Sequence, residues 1–92
     1  MKTAIVILNW NTEGFLREFL PGLLRSVADE DGAEVIVADN GSTDGSLKVM
    51  REEFPQVRTI AFNRNHGFTG GYNKAFEEIY GTAEAPLENA PE

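Results

Sequence analysis

The sequence predicts an α/β fold with a parallel sheet of three strands. Three runs of strand-forming residues occur along the chain, at Ala4 to Leu8, Glu34 to Asp39 and Val57 to Phe62. Each run is followed by a polar segment and then by residues with helical spacing. Strand and helix therefore alternate three times, which is typical of a parallel sheet with right-handed crossovers. We expect a Rossmann-like βαβαβα unit over residues 1–81.

The first two strands are predicted to be buried on both faces. Ala4 to Leu8 and Val35 to Ala38 are uninterrupted apolar runs, without the alternation of a strand that has one wet face. Val57 to Phe62 alternates less cleanly, but it is rich in residues that favour strands. The sheet should therefore carry helices on its faces.

Three helices are predicted from apolar spacing and from helix-ending residues. The first should start near Glu13, with a kink or a restart at Pro21 and Gly22. The second runs from about Asp44 to Phe54 and ends before a proline. The third runs from Tyr72 to Tyr80, after a glycine-rich loop. Residues 82–92 lack periodicity and are expected to form a disordered or loosely docked tail, without a second domain.

Composition excludes several classes of function. The 92 residues include 8 basic and 15 acidic side chains, and the net charge of −7 opposes binding to nucleic acid. The absence of cysteine removes disulfides, thiolate catalysis and zinc-thiolate sites. The apolar run near the N-terminus is too short for a signal peptide or a transmembrane segment. We expect a soluble, cytoplasmic protein.

All three polar loops follow strands and should meet at one edge of the sheet. They are Asn9 to Thr12, Asp39 to Asp44 and Asn63 to Gly71. Ligands of open α/β sheets bind at the carboxyl ends of strands, so Asp39 and Asp44 could meet a substrate there. Equally, the two aspartates could serve only the turn and the helix start. Acidic side chains, glycine loops and Arg64 together suit a nucleotide, but the chain has neither Gly-x-Gly-x-x-Gly nor a Walker-type motif.

Three segments together resemble the opening signatures of family 2 glycosyltransferases, especially the rhamnosyl-transferase-like branch. They come in the family's order and spacing, and read IVILNWN from Ile5, VIVADNGSTDGS from Val35 and NRNHGFTGGYNKA from Asn63. The resemblance implies the first half of a GT-A fold, with strand order 3-2-1. It also implies a nucleotide-sugar donor of the uridine or deoxythymidine diphosphate type.

The resemblance also implies roles for the loop residues. Asp39 would accept a hydrogen bond from the base, and Asn9 and Asn11 would line the base and ribose pocket. Arg64 would lie near the diphosphate, with the glycine-rich segment that begins at Gly67. The complete set of expected donor-binding residues is Asn9, Asn11, Asp39, Asn40, Asp44, Arg64, Gly67, Gly70 and Gly71.

The chain also departs from the family pattern. Family members continue into a fourth strand with an Asp-x-Asp motif, which holds a divalent metal (Mg or Mn), and later supply a carboxylate base. No aspartate follows Asp44 here. The triplet Asp29-Glu30-Asp31 precedes the second strand, so we interpret it as a solvated turn. Neither metal ligand nor catalytic residue is assigned, and we expect a truncated donor-binding half that is inactive alone.

Two further expectations concern partners. The alternative to a glycosyltransferase fragment is a non-catalytic Rossmann-like module for nucleotide binding or protein association. In the order 3-2-1 the strand Ala4 to Leu8 would be central in a full-length enzyme, with later strands pairing on its far side. In this chain we expect it to lie at an edge, and it has no charge or proline to discourage pairing with another chain. The sequence therefore predicts either a homodimer through this edge or coverage of it by residues 82–92.

Overall fold

The computed structural model describes residues 3–30 and 32–81, so the predicted tail lies outside the described residues. Within them, three strands and three helices alternate, in the order β1 (Thr3–Asn9), α1 (Glu13–Val27), β2 (Ala33–Asp39), α2 (Ser46–Glu53), β3 (Arg58–Ala61) and α3 (Gly67–Tyr80). The strands form one parallel sheet in the order β1-β2-β3, which is the predicted order read from the opposite edge. The α/β prediction is confirmed.

The helices cover the two faces of the sheet unequally. On one face, α1 and α2 bury Leu16, Leu20 and Met50 against Val35 and Val37. On the other face, α3 packs Ala75 against Ala38 and Phe62 in a smaller cluster. Because successive side chains of a strand point to opposite faces, β2 must be apolar at every position between two helix layers. This explains the uninterrupted apolar run.

The first helix runs through Pro21 and Gly22 as one element, so of the two predicted alternatives the restart is wrong, and the kink stays a prediction. Proline costs about 3 kcal/mol inside a helix. That cost is offset because apolar side chains pack on both sides of it. Leu16 and Leu20 are fully buried before the proline, and Leu23 and Val27 pack against the same core after it.

The third helix begins at Gly67, five residues before the predicted start at Tyr72. The amide oxygen of Asn65 accepts the N–H of Gly67 at 2.6 Å, which holds the chain at the helix start. Gly71 lies within the helix. This position needs a glycine, because a Cβ there would be 2.8 Å from Asn40 Nδ2 and 2.9 Å from Leu8 Cδ1. The predicted glycine loop is therefore partly a helical turn that packs closely on the sheet.

No helix in the two described ranges is long and apolar enough to cross a membrane.

Candidate functional site

The loops after the three strands lie at the same edge of the sheet, as predicted, and are joined by hydrogen bonds. The loop after β1 is braced to the loop after β2 through Asn11. Its amide oxygen accepts the N–H groups of Thr43 at 2.7 Å and Asp44 at 3.2 Å, while its own N–H donates to Ser42 Oγ at 2.9 Å. Asn11 has a φ of 53°, a left-handed conformation that asparagine tolerates better than most residues. The backbone N–H and the amide oxygen of Asn11 are thus both bonded within the protein.

Asp39 is the centre of this network and is only 1% exposed. Its Oδ1 atom accepts from Asn9 Nδ2 at 2.9 Å and from Ser42 Oγ at 2.7 Å, and its Oδ2 atom accepts the Ser42 N–H at 2.9 Å. A buried charge is tolerated only with such partners. Because a carboxylate oxygen has two lone pairs, Oδ1 is fully used and Oδ2 retains one.

Asn9 lies beneath the loops and not on their surface. It is 2% exposed, and its amide oxygen accepts the Thr12 hydroxyl at 2.5 Å while its Nδ2 donates to Asp39. The side chain thereby connects the end of β1, the start of α1 and the central carboxylate. Ser42 completes the arrangement but was missed by the sequence analysis. The signal was available, because an aspartate commonly accepts the N–H of a nearby turn residue.

Asn40 joins the loop after β2 to the loop after β3. It is 3% exposed, and its Nδ2 donates to Asn65 Oδ1 at 3.2 Å and to the carbonyl of Gly67 at 3.1 Å. Its Oδ1 accepts the N–H of His66 at 2.9 Å. The side chain therefore fixes the start of α3 relative to the central strand.

Asp44 caps two helices with one carboxylate. Its Oδ1 accepts the N–H of Ser46 at 2.9 Å and its Oδ2 accepts the N–H of Glu13 at 3.2 Å. Glu13 in turn accepts the N–H of Gly45 at 2.7 Å. Burial alone raises the pKa of the Asp44 carboxyl, but hydrogen bonds from Ser46 and from the backbone of Glu13 outweigh it, so this pKa lies below the usual 3.8. The Asp44 carboxylate therefore serves the starts of both helices, and its contact with a substrate stays a prediction.

We expect this double cap to make stability pH-dependent. The lowered pKa means that Asp44 stabilises the fold above its unfolded pKa, and that this contribution is lost as pH falls through the lower folded value. Asp44→Asn replaces one of the two accepting oxygens by an NH₂ group, so it should reduce the free energy of unfolding by about 0.5–1.5 kcal/mol at pH 7 and by less at pH 3. Urea unfolding followed by circular dichroism measures this. The exposed Asp29→Asn is the control, and equal losses for both variants would contradict the prediction.

Arg64 and the start of α3 are the electropositive part of this edge. Arg64 is exposed, and among the described residues no acidic oxygen lies within 4.0 Å of its guanidinium. In the same part of the chain, the N–H groups of Phe68 and Thr69 have no hydrogen-bond acceptor. First-turn N–H groups and an arginine suit an anion. Gly67 and Gly70 belong to this turn, whereas Gly71 is buried beneath it.

A metal donor set is not assembled by the residues that the structure describes. No group of three or more His, Cys, Asp or Glu side chains lies close enough together in ranges 3–30 and 32–81 to hold an ion. Asp29 and Glu30 are exposed and precede β2, at the end of the sheet opposite the loops. The described ranges therefore do not supply ligands for the metal that the resemblance implies for longer family members.

Grooves also lie away from the strand-end loops. One of about 410 Å³ runs along the outer edge of β3 and is lined mainly by apolar residues, including Met50, Pro55 and Val57. It offers no carboxylate or histidine among its lining residues. The strand-end loops, by contrast, bring together the buried polar side chains Asn9, Asp39 and Asn40.

Comparison with known proteins agrees with this architecture. The sequence profile of glycosyl transferase family 2 matches residues 4–83. The chain is 34% identical, over 99% of its length, to the undecaprenyl-phosphate 4-deoxy-4-formamido-L-arabinose transferase of Proteus mirabilis (strain HI4320), of which it covers 31%. It is 31% identical, over 82% of its length, to the N-acetylglucosaminyl-diphospho-decaprenol L-rhamnosyltransferase of Mycobacterium tuberculosis (strain CDC 1551 / Oshkosh), of which it covers 24%.

A third similar protein is an uncharacterized glycosyltransferase of Bacillus subtilis (strain 168), at 36% identity over 88% of this chain and 21% of that protein. The chain thus spans less than a third of the length of these relatives. The matched region contains all six elements of the fold and the three strand-end loops. This chain therefore belongs to glycosyl transferase family 2.

Proposed function

We propose that the strand-end loops bind the nucleoside diphosphate of a sugar donor, as part of a glycosyltransferase. The observation that carries this proposal is the buried Asp39 carboxylate at the end of the central strand, held by Asn9 and Ser42 beside the first turn of α3. The carboxylate is an acceptor for a base, and the first turn of α3 and Arg64 suit the phosphates.

The free lone pair of Asp39 favours a uridine or deoxythymidine donor. Uracil and thymine each offer a single imide N–H, which the one remaining lone pair on Oδ2 can accept. Guanine offers two adjacent donors, and a carboxylate accepts them with both oxygens. Oδ1 is already occupied by Asn9 and Ser42. Since Asp39 is 1% exposed, binding has to uncover Oδ2 by a local movement of the loops.

The acceptor is proposed from the relatives. The Proteus mirabilis and Mycobacterium tuberculosis proteins carry undecaprenyl phosphate and a diphospho-decaprenol in their names. We propose a polyprenyl-linked acceptor for the longer enzyme, with the nucleotide site on the cytoplasmic side and peripheral to the membrane. No residue of the described ranges is proposed as the catalytic base, so transfer by this chain alone is not expected.

Titration of the ¹⁵N-labelled chain with UDP, dTDP and GDP tests the proposal. UDP and dTDP should shift amides of residues 9–12, 39–44 and 66–70, with millimolar affinity, because the chain is net negative. GDP should bind more weakly. Asp39→Asn should abolish the preference, because the NH₂ group of the new amide would take the place of Oδ2 and face the imide N–H, donor against donor. The matched Asp29→Asn, at the opposite end of the sheet, should leave the preference unchanged.

One outcome would contradict donor binding, and another would contradict the expectation that this chain alone is inactive. Unchanged amides with all three nucleotides would favour the alternative, a non-catalytic association module. Robust metal-dependent sugar transfer by the purified 92-residue chain would show that the catalytic groups are present after all.

A further inference from the structure

Asn40 is followed directly by Gly41, and this is the only Asn-Gly pair in the chain. Because glycine has no side chain to hinder its backbone nitrogen, that nitrogen can attack the side-chain carbonyl carbon of the preceding asparagine. The new N–C bond closes a succinimide ring, and Nδ2 leaves as ammonia with the proton of the glycine N–H. Water then opens the ring at either carbonyl and gives aspartate or isoaspartate. The sequence therefore carries the chemistry of spontaneous deamidation at position 40.

In the folded chain the side chain of Asn40 is held by one segment, the loop after β3. Its Nδ2 donates to Asn65 Oδ1 at 3.2 Å and to the carbonyl oxygen of Gly67 at 3.1 Å. Its Oδ1 accepts the N–H of His66 at 2.9 Å. Ring closure expels Nδ2, so both bonds that Nδ2 donates have to break first. The reaction therefore requires Asn40 to separate from this loop.

The attacking residue is confined by the same loop. Gly41 has a φ of 80°, and a Cβ there would lie 2.4 Å from the carbonyl carbon of Arg64 and 2.7 Å from the backbone nitrogen of Asn65. This close approach involves backbone atoms, so rotation of a side chain cannot make room for Gly41 to turn. Both reacting residues thus gain freedom through one event, the movement of the loop after β3 away from the loop after β2.

We propose that Asn40 is a deamidation site, that its reaction is controlled by opening of the loop after β3, and that its products prevent the loop from closing as before. Local opening of loops is general in native proteins. Three hydrogen bonds of ordinary net strength have to open here, so the folded chain should react about a hundredfold more slowly than the unfolded chain.

The products do not restore the contacts of Asn40. An aspartate at this position presents an acceptor where Nδ2 donated to two other acceptors. Isoaspartate also inserts a methylene into the backbone at the end of β2, next to the bond of 2.8 Å from the Asn40 N–H to the carbonyl oxygen of Asn9. Either product adds a negative charge beside Asp39, which is only 1% exposed. The start of α3 is therefore released from the central strand.

A consequence for nucleotide binding rests on the proposed function. The first turn of α3 is the proposed phosphate site, and Asn40 ties its start to β2 through Gly67 and His66. Deamidation releases this turn and adds a negative charge beneath it. The affinity of the modified chain for UDP should therefore fall by at least about tenfold.

Incubation of the full 92-residue chain at mildly alkaline pH, in buffer and in urea, tests the control of the reaction. Mass spectrometry of the proteolytic fragment that contains Asn40 measures the rate. Asn65→Ala removes the acceptor shared by Asn40 Nδ2 and the N–H of Gly67, so it should speed the reaction in buffer by about tenfold. Asn63→Ala is the matched control, because it removes the same side chain from an exposed position of the same loop. In urea all three chains should react equally fast.

Equal rates in buffer and in urea would overturn the control by folding, and no reaction in urea would overturn the site itself. Equal rates for Asn65→Ala and Asn63→Ala in buffer would show that the loop after β3 does not control the reaction. No product from any of the chains in buffer would show that the folded protein is not modified.

The modified chain can be separated by its added charge and compared with the unmodified chain. Hydrogen exchange at the His66 amide should be at least about tenfold faster after deamidation, because this N–H loses its acceptor on Asn40. Unchanged exchange would contradict the release of α3. UDP titration of both forms follows. If the unmodified chain does not bind UDP, only the proposed function fails, since the rates and the amide exchange do not depend on a nucleotide.

Discussion

Gly41→Ala should disorder the strand-end loops and remove a large share of the protein's free energy of unfolding. Gly41 has a φ of 80°, and a Cβ at this position would lie 2.4 Å from the carbonyl carbon and 2.7 Å from the Cα of Arg64. The left-handed conformation costs alanine about 1–2 kcal/mol, and overpacking adds about 1–3 kcal/mol. A small domain has only about 5–15 kcal/mol in total. Because the obstructing atoms belong to the backbone, no side-chain rotation relieves the contact.

Two other glycines separate the cost of the left-handed conformation from the cost of overpacking. Gly67 has a φ of 76° but no atom within 4 Å of its Cβ position, so Gly67→Ala should lose only the conformational part. Gly14 has an open Cβ position within α1, so Gly14→Ala should be neutral or stabilising by up to about 1 kcal/mol. Urea denaturation gives the three free energies of unfolding. If Gly41→Ala and Gly67→Ala cost the same, the close approach of the two loops is not what requires Gly41.

The fold was predictable from the sequence because local patterns and the global architecture agree. The apolar runs of β1 and β2 identify strands between helix layers, and the three polar loops that follow them predict a common edge. Pro21 and the segment from Gly67 to Gly71 were misinterpreted for a shared reason. Both contain residues with poor helix propensity, and in both cases tertiary packing determines the conformation.

The candidate site was predictable in its location more than in the state of its side chains. Asn9, Asn11, Asp39 and Asn40 do lie together, but their polar groups are bonded to one another within the loops. Residue type indicates that an amide or carboxylate can bind something. Its actual partner depends on which residues of distant loops the fold brings together. Asn9 and Asp39, for example, are 30 residues apart in the sequence. Whether a ligand replaces any of these bonds is what the nucleotide titration measures.

Asn9→Leu should be strongly destabilising although it leaves the backbone geometry unchanged. Leucine is similar in size but donates no hydrogen bond, so Asp39 Oδ1 would keep only the Ser42 hydroxyl. Hydrogen bonds to a charged group are worth about 1.5–3 kcal/mol, and here the charge is 1% exposed and cannot recover the loss from water. Thr12→Val is the control, because it removes only the hydrogen bond to the amide oxygen of Asn9, at an exposed position.

A double-mutant cycle decides whether the stranded charge is the cause. If Asn9→Leu is damaging because it leaves a buried carboxylate short of donors, then neutralising that carboxylate should relieve the damage. Asp39→Asn should therefore cost less in the Asn9→Leu background than in the wild type, with a coupling of about 1–3 kcal/mol. Additive losses would mean that Asn9 acts through packing alone. In that case the network around Asp39 would not hold the carboxylate in place for a ligand, and the preference for a single-donor base would lose its structural basis.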